Sequence, residues 1–221
     1  MRRTVVSIVM LAVAALLFAE TAAARSGPGA GLWLEGFGSW NTYSMTDPNR
    51  LVGLVNDELT GTGLSMDRIR DGFGLGIRAG GDLSLLTLGI GYERFFARSS
   101  IPGVIGTVQL TFPANAVLGL VEYRLPASRA AGVRLGVAGG IVSLAPVSRV
   151  LPVELTGSGP LLEGYAAAEW WTTPHVALVG AAGYRFAKVG KPESGGVRVS
   201  DFEIDYGGVQ VRAGVKFALV K

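Results

Sequence analysis

Apolar side chains alternate with polar or small ones along most of this chain, most clearly in its last segment. Every second residue there is apolar, namely Val209, Val211, Ala213, Val215, Phe217 and Leu219. The positions between them include Gln210, Arg212 and Lys216. Because successive side chains of a strand point to opposite faces, this period of two predicts a strand with one apolar and one polar face.

The same alternation recurs along the chain and predicts eight strands. We expect them at about 31–44, 72–81, 84–99, 105–125, 131–144, 160–172, 175–190 and 206–220. Long connections at 45–71, 145–159 and 191–205 alternate with short ones. An even number of strands, with short turns at one end and long loops at the other, predicts an all-β fold: an eight-stranded antiparallel up-and-down transmembrane β-barrel.

The composition of the apolar face favours a membrane barrel over a soluble lipocalin-like barrel or a β-sandwich. A soluble barrel needs large apolar residues to fill its core, whereas this face is built from Val, Ala, Leu and Gly. Aromatic residues near the strand ends suit girdles at a membrane interface. The candidates are Trp33, Trp40, Tyr43, Tyr92, Phe95, Phe96, Tyr123, Trp170, Trp171, Tyr184 and Phe186.

The first residues are typical of a secretory signal peptide. Arg2 and Arg3 precede an apolar run from Val5 to Phe18, and small residues follow at 22–24. This run has 14 residues, against the roughly 20 that a membrane-spanning helix needs. We therefore expect residues 1–24 to be a signal peptide and residues 25–221 to form the outer-membrane barrel domain.

Charge and cysteine content exclude several classes of protein. The formal net charge is +3, to which Arg2 and Arg3 contribute, and no run of Lys or Arg occurs. Scattered single charges do not form a surface that follows a phosphate backbone, so we expect no nucleic-acid partner. The chain has no cysteine, which excludes disulfides and thiolate metal sites.

The first long loop carries the pattern of a short helix. Asp47 and Pro48 are typical of a helix start, and Gly61 of an end. The apolar residues at helical spacing are Leu51, Val52, Leu54, Val55 and Leu59. Their side of the helix is expected either to pack over the mouth of the barrel or to gate or bind an apolar ligand there.

The last strand resembles the C-terminal strand of the small bacterial outer-membrane β-barrel family, OmpA/OmpX-type in architecture. The segment from Arg212 to Leu219 matches a pattern of polar, glycine and alternating apolar positions, although Val220 and Lys221 replace the terminal aromatic residue. The resemblance implies a location in the bacterial outer membrane. The oligomeric state is left open by the sequence, with a monomer favoured. The resemblance also implies three partners: outer-membrane lipids, lipopolysaccharide, and the barrel-assembly machinery during biogenesis.

Alternation places five acids and six bases on the inward face. They are Glu35, Arg78, Glu93, Glu122, Arg124, Arg134, Glu163, Glu169, Arg185, Arg212 and Lys216. Charges enclosed in a narrow barrel need partners, so this set predicts a structural network that fills the lumen. Because the first and last strands must meet, Glu35 is a candidate counter-ion for Arg212. A narrow ion pathway is the alternative.

Catalytic residues are not indicated by the sequence. His175 is the single histidine, and it lies in a predicted turn beside Thr173 and Pro174, where a solvated role is expected. We expect no catalytic, cofactor-binding or metal-binding residues, and no cofactor. The predicted function is a non-enzymatic structural or interaction scaffold. The alternatives are an OmpW-like transport or binding barrel for small hydrophobic molecules and, less favoured, a lipid-modifying enzyme.

Overall fold

The computed structural model describes residues 31–103, 106–125, 131–145, 155–194 and 197–219. Eight long strands dominate: β1 (Leu32–Thr42), β2 (Asp71–Leu83), β3 (Leu86–Gly103), β4 (Gly106–Leu125), β5 (Ala131–Leu144), β7 (Ser158–Trp171), β8 (Val176–Gly190) and β12 (Gly208–Ala218). Four shorter strands are β6 (Leu155–Thr156), β9 (Glu193–Ser194), β10 (Val197–Arg198) and β11 (Glu203–Asp205). The helix α1 (Thr46–Glu58) follows β1. The predicted signal segment at 1–24 lies outside the described residues.

The eight long strands close on themselves as an antiparallel barrel. Each strand pairs with the next, and β12 pairs with both β8 and β1. The closing ladder runs from Trp33 opposite Ala218 to Asn41 opposite Gln210. The predicted fold class is therefore confirmed, with the single described helix in the first long loop. None of the described helical residues forms a helix long and apolar enough to span a membrane.

Apolar side chains cover the outside of the barrel wall, because the strands turn the apolar face of each alternating pattern outward. Exposed large residues at these positions include Leu75, Ile77, Leu88, Val121, Leu135, Val137, Ile141, Leu162, Leu178 and Val211. The intervening residues are buried in the barrel, where charged and small side chains predominate. This distribution is that of a barrel immersed in lipid rather than in water.

Three aromatic residues expected at a membrane interface lie inside the barrel instead. Trp33, Tyr43 and Phe95 are buried, so the prediction was wrong for them. Trp33 and Phe95 are separated by an even number of residues from inward-facing Glu35 and Glu93, which places them on the lumen face of their strands. Trp40, Tyr92, Tyr123, Trp170, Tyr184 and Phe186 are exposed on the outside, as predicted.

The strands extend past the wall at the end that carries the long loops. The β3–β4 hairpin continues to Gly103 opposite Gly106, whereas the sequence predicted one strand to end at 99 and the next to begin at 105. Strand β11 pairs with the long-loop end of β8. Strands β6, β9 and β10 form a small separate sheet. At the opposite end, Ser84 and Leu85 alone join β2 to β3.

Candidate functional site: the charged barrel interior

The structure buries ten of the eleven charged residues assigned to the lumen by alternation. Their exposed fractions do not exceed 5%. They are Glu35, Arg78, Glu93, Glu122, Arg134, Glu163, Glu169, Arg185, Arg212 and Lys216. The eleventh, Arg124, is half-buried near the end of β4 and has no salt bridge to any described residue.

Glu163 on β7 is the centre of the ion-pair network. Its Oε1 accepts hydrogen bonds from Nη2 of Arg78 at 3.1 Å and from Nη1 of Arg212 at 3.0 Å. Its Oε2 accepts one from Nη2 of Arg185 at 3.0 Å. One carboxylate thus connects β7 with β2, β8 and β12 across the full width of the lumen.

Glu93 on β3 extends this network toward the long-loop end. Nη2 of Arg185 lies 2.6 Å from Oε2 of Glu93, so Arg185 bridges Glu93 and Glu163. The Ser39 hydroxyl donates to Oε1 at 2.7 Å, and the Gln210 amide donates to the same oxygen at 3.0 Å. Glu93 is fully buried, but it is surrounded by donors.

A second group of charges centres on Arg134, near the short-turn end. Its Nη1 lies 2.9 Å from Oδ1 of Asp82 and 3.2 Å from Oε2 of Glu122, and its Nε lies 2.8 Å from Oε1 of Glu169. Lys216 on the last strand donates to Oε1 of Glu169 at 2.6 Å. Four strands are therefore connected to β5 through this one guanidinium and its partners.

Aromatic rings separate the charged groups and fill the space between them. The guanidinium carbons of Arg78 and Arg212 lie 5.0 and 4.2 Å from the ring centre of Tyr165. Both also contact the ring of Phe37, at 5.2 and 5.5 Å. The hydroxyl of Tyr165 donates to Glu122 at 2.7 Å and joins the two groups of charges. Cation–π stacking thus supplements the carboxylates around each arginine.

Glycines on the lumen face provide the room for these rings. A Cβ at Gly136 would lie 2.4 Å from Cζ of Tyr165, and one at Gly76 would lie 2.4 Å from Cζ of Phe37. Both distances are shorter than any van der Waals contact between carbon atoms. Gly76 and Gly136 are therefore part of the lumen packing.

Glu35, the candidate counter-ion of Arg212, does form an ion pair with it, but the longer of the two that Arg212 makes. Its Oε1 lies 4.0 Å from Nε of Arg212, whereas Arg212 contacts Glu163 at 3.0 Å. In the ladders Glu35 is opposite Lys216 and Arg78, and Arg212 is opposite Ser39. The principal counter-ion of Arg212 is Glu163 on β7, because side chains in a narrow barrel reach across the lumen as well as to adjacent strands.

Several lumen residues were missed by the sequence analysis. Asp82 binds Arg134, and Ser39, Gln210 and Tyr165 complete the hydrogen bonding of the carboxylates. Each lies an even number of positions from a charged inward residue on its own strand, for example Gln210 from Arg212. The same alternation that identified the charges could therefore have identified them.

Helix α1 buries less apolar surface than its sequence pattern predicts. Val52 is fully buried, but it packs with Met66 and Leu59 of the same long loop. Leu51, Leu54 and Val55 are exposed, by 38%, 58% and 37%. The expectation that this side covers the barrel mouth is therefore not met by these three residues.

Asp47, expected to cap α1, instead lies inside its first turn. The residue before the helix is Met45, which makes no side-chain cap hydrogen bond. Oδ2 of Asp47 accepts the backbone N–H of Glu203 at 2.7 Å. This bond holds the start of α1 against β11.

The mouth of the barrel is closed by apolar residues of the loops and upper strands. Met45, Ile69, Phe95, Ile204 and Tyr206 are all buried in one cluster. The Tyr206 hydroxyl donates to the carbonyl of Phe112 at 3.1 Å. Burial raises the pKa of the Tyr206 hydroxyl far above its ordinary value, so it remains a neutral donor. The lumen thus has a charged layer and, above it, an apolar layer.

His175 lies in an exposed turn at the end opposite the long loops. Its backbone N–H donates to the Thr173 hydroxyl at 3.2 Å, and its carbonyl accepts from Ala218. Within the described ranges, three or more histidine or acidic side chains nowhere converge in a way that could hold a metal ion.

Comparison with solved structures relates the fold to small outer-membrane proteins. Neisserial surface protein A (NspA) has a TM-score of 0.57 and 17% sequence identity, over 86% of this chain and 99% of that chain. Ail, the attachment invasion locus protein of Yersinia pestis, has a TM-score of 0.37 and 12% identity, over 86% and 97%. The outer membrane protease OmpT from Escherichia coli has a TM-score of 0.34 and 8% identity, over 86% and 96%.

The likeness at these identities concerns the fold alone, and of these three structures NspA is the one whose superposition supports it. No protein-family model matches the sequence, and no curated protein matches it at a significant level. The chain has the closed eight-stranded barrel expected from its resemblance to the small outer-membrane barrels.

Proposed function

We propose that this chain is a non-enzymatic barrel of the bacterial outer membrane, which serves as a structural or interaction scaffold and presents its long loops outside the cell. The observation that carries the proposal is the filled interior, in which Glu163 binds three arginines from three other strands. An apolar outer wall together with short turns at one end supports the orientation, since such barrels have short periplasmic turns.

The lumen is closed by two layers, the buried ion pairs and the apolar cluster at the mouth, and this supports a scaffold rather than a pore. An eight-stranded barrel is just wide enough for its own side chains to fill, and here ion pairs and aromatic rings occupy that width. The apolar cluster around Phe95 and Tyr206 lies above the charges. An ion would have to break buried pairs and cross an apolar layer, and both steps are costly.

The position of His175 supports the absence of turnover. Histidine is the general base of most nucleophilic hydrolases, and it needs a nucleophile within hydrogen-bond reach. The single histidine of this chain lies on an exposed short turn, whereas the buried carboxylates are neutralised by arginine or lysine. The arrangement suits permanent structure better than proton transfer.

Single-channel recording in a planar bilayer tests this proposal. Protein whose folding has been verified by its mobility on unheated gels is expected to produce no stable current steps above leak. Stable steps of one reproducible size would contradict the filled lumen. A known open porin, reconstituted by the same procedure, shows that insertion is being detected.

A further inference from the structure

Helix α1 carries an apolar stripe that the loop beneath it does not cover. Leu51, Leu54 and Val55 occupy positions i, i+3 and i+4, so their side chains lie along one side of the helix, and all three are exposed. Val52 lies beside this stripe and is fully buried against Met66. The loop of the same chain therefore covers one half of the apolar side of α1 and leaves the other half for a partner.

Two opposite charges lie along one flank of this stripe. Arg50 and Asp57 are seven residues apart, or about two turns, which places both about 100° around the helix from the stripe. Arg50 is exposed and makes two long contacts, a 3.6 Å ion pair with Asp47 and a 3.4 Å hydrogen bond to the carbonyl of Asp201. Asp57 is exposed and forms no salt bridge to any residue that the structure describes.

This charge pattern is self-complementary when two copies of α1 pack antiparallel. The midpoint between Arg50 and Asp57 falls beside Leu54, so a twofold axis at that point brings the two Leu54 side chains together. The same axis places Arg50 of each copy opposite Asp57 of the other copy. A parallel pair would place like charges against each other, and flanking charges of this kind determine the orientation of paired helices. The pattern therefore favours an antiparallel pair of identical helices.

The direction of the buried side of α1 is compatible with two chains in one membrane. Val52, which faces the rest of its own loop, lies about 160° around the helix from Arg50. In the antiparallel pair both charged flanks lie on one side, so both loops lie on the other. The two chains then extend from the same side of the helix pair, as chains inserted in one bilayer must.

We propose that α1 is a dimerisation helix, which pairs antiparallel with α1 of a second copy of this chain in the same membrane. Leu51, Leu54 and Val55 form the contact, and Arg50 of each copy binds Asp57 of the other. A helix of 13 residues buries much less than the roughly 1,200 Å² of a stable interface between soluble proteins. Pairing therefore depends on confinement to one membrane, which raises the effective concentration of the two chains. The inference rests on the proposed function, since it requires inserted barrels whose long loops face the same way.

Disulfide formation between copies tests the proposed contact, because the chain has no cysteine of its own. Full-length folded protein is inserted at low density into phosphatidylcholine vesicles and oxidised briefly. Leu54→Cys is expected to form a covalent dimer, because the two side chains meet at the twofold axis. Leu51→Cys is the matched control, an exposed leucine of the same stripe. Its two copies are offset by about 8 Å along the helices, out of reach of a disulfide, so it should cross-link several-fold more slowly.

Reversal of one charge tests the orientation of the pair. In the Leu54→Cys background, Asp57→Arg replaces two attractive contacts with two repulsive ones, and the dimerisation constant is expected to fall about tenfold. Asp67→Arg is the control, because it changes the net charge equally at an exposed residue of the same loop outside α1. Arg50→Asp chains should also pair poorly with themselves. A mixture of Asp57→Arg and Arg50→Asp chains should recover the cross-linking, since both contacts are then attractive.

Several results would overturn the proposal. Equal cross-linking of Leu51→Cys and Leu54→Cys would indicate random collision or a parallel pair. Cross-linking of Leu54→Cys that Asp57→Arg leaves unchanged would exclude the charge contacts, and no cross-linking at this position would exclude the helix pair.

Failure of this inference can be told apart from failure of the scaffold proposal. The dimer is judged by cross-linking, whereas the scaffold is judged by membrane insertion and the lack of conductance. A protein that inserts and does not conduct, but does not cross-link through Leu54→Cys, keeps the scaffold and loses the dimer.

Discussion

Two buried carboxylates of the lumen differ in how many cations they neutralise. Glu163 contacts three arginines at 3.0–3.1 Å, whereas Glu35 has one arginine at 4.0 Å. Both are buried and both are glutamates, so the pair provides a matched comparison. Removing a partner from a buried pair leaves the other charge uncompensated, and the cost therefore depends on the number of partners.

We predict that Glu163→Gln destabilises the folded barrel by about 3–5 kcal/mol, the range measured for broken buried pairs. Glu35→Gln is expected to cost less than about 1 kcal/mol, because its single charged contact is long. Urea unfolding of both variants in the same lipid vesicles measures the difference. Equal losses of stability would show that total lumen charge, rather than the Glu163 contacts, determines stability.

Adding one methyl group to a strand glycine should have a different effect on stability at the lumen face of the wall than at its outer face. We predict that Gly136→Ala destabilises the barrel by about 1–3 kcal/mol, as overpacking does, because its Cβ would lie 2.4 Å from the Tyr165 ring. That ring cannot move aside easily, since Arg78, Arg212 and Glu122 hold it. Gly164→Ala, whose Cβ would meet nothing within 4 Å, is the control and should match the wild type in the same unfolding experiment.

Among the secondary-structure elements, α1 shows how an amphipathic pattern can be assigned to the wrong partner. Its helical spacing predicted the element within about three residues at each end, with a start at Asp47 and Pro48 and an end at Gly61, where the structure has Thr46–Glu58. The pattern could not show that Val52 packs on Met66 of the same loop, because periodicity identifies an apolar side but not the surface that covers it.

We predict that Val52→Asp loosens the first long loop without unfolding the barrel, because it buries a carboxylate against Met66 and Leu59 with no partner. Trypsin should then cleave after Arg68 or Arg70 at least several-fold faster, while the folded form keeps its mobility on unheated gels. Leu54→Asp places the same charge on a residue that is 58% exposed, and it should leave the cleavage rate unchanged. Identical rates for both variants would indicate that Val52 does not hold the loop.

The strands were the elements best predicted from the sequence. The stagger of each strand relative to its neighbours could not be predicted. Period-two alternation located β5 at its observed bounds and the other long strands within a few residues at each end, and ten of the eleven charges that it placed inside the barrel are buried there. It could not assign Glu163 to Arg212, since that contact crosses the lumen and depends on how far each strand is displaced along its neighbour. Trp33 and Phe95 were misplaced because strand-end position was considered and face was not.

For the molecule as a whole, closure of the wall predicts unusual resistance to detergent. We expect the protein to fractionate with outer membranes and to migrate differently on gels before and after boiling, because every strand of the barrel is paired on both edges. Recovery in the soluble periplasmic fraction, or a single mobility before and after heating, would contradict the membrane barrel.

The place of β12 in the charge network has a consequence for biogenesis. This strand supplies the last partner of three carboxylates: Gln210 for Glu93, Arg212 for Glu163 and Lys216 for Glu169. Gln210 and Glu93 are 117 positions apart in the chain, and the other two pairs are 49 and 47 positions apart, so these contacts form only when segments that are far apart in sequence meet, which makes folding intrinsically slow. A chain cut short before β12 would enter the bilayer with two open edges and a negatively charged interior. A truncated chain therefore differs from the finished barrel in two physical properties, its open edges and its lumen charge, and both follow from the amino-acid sequence itself.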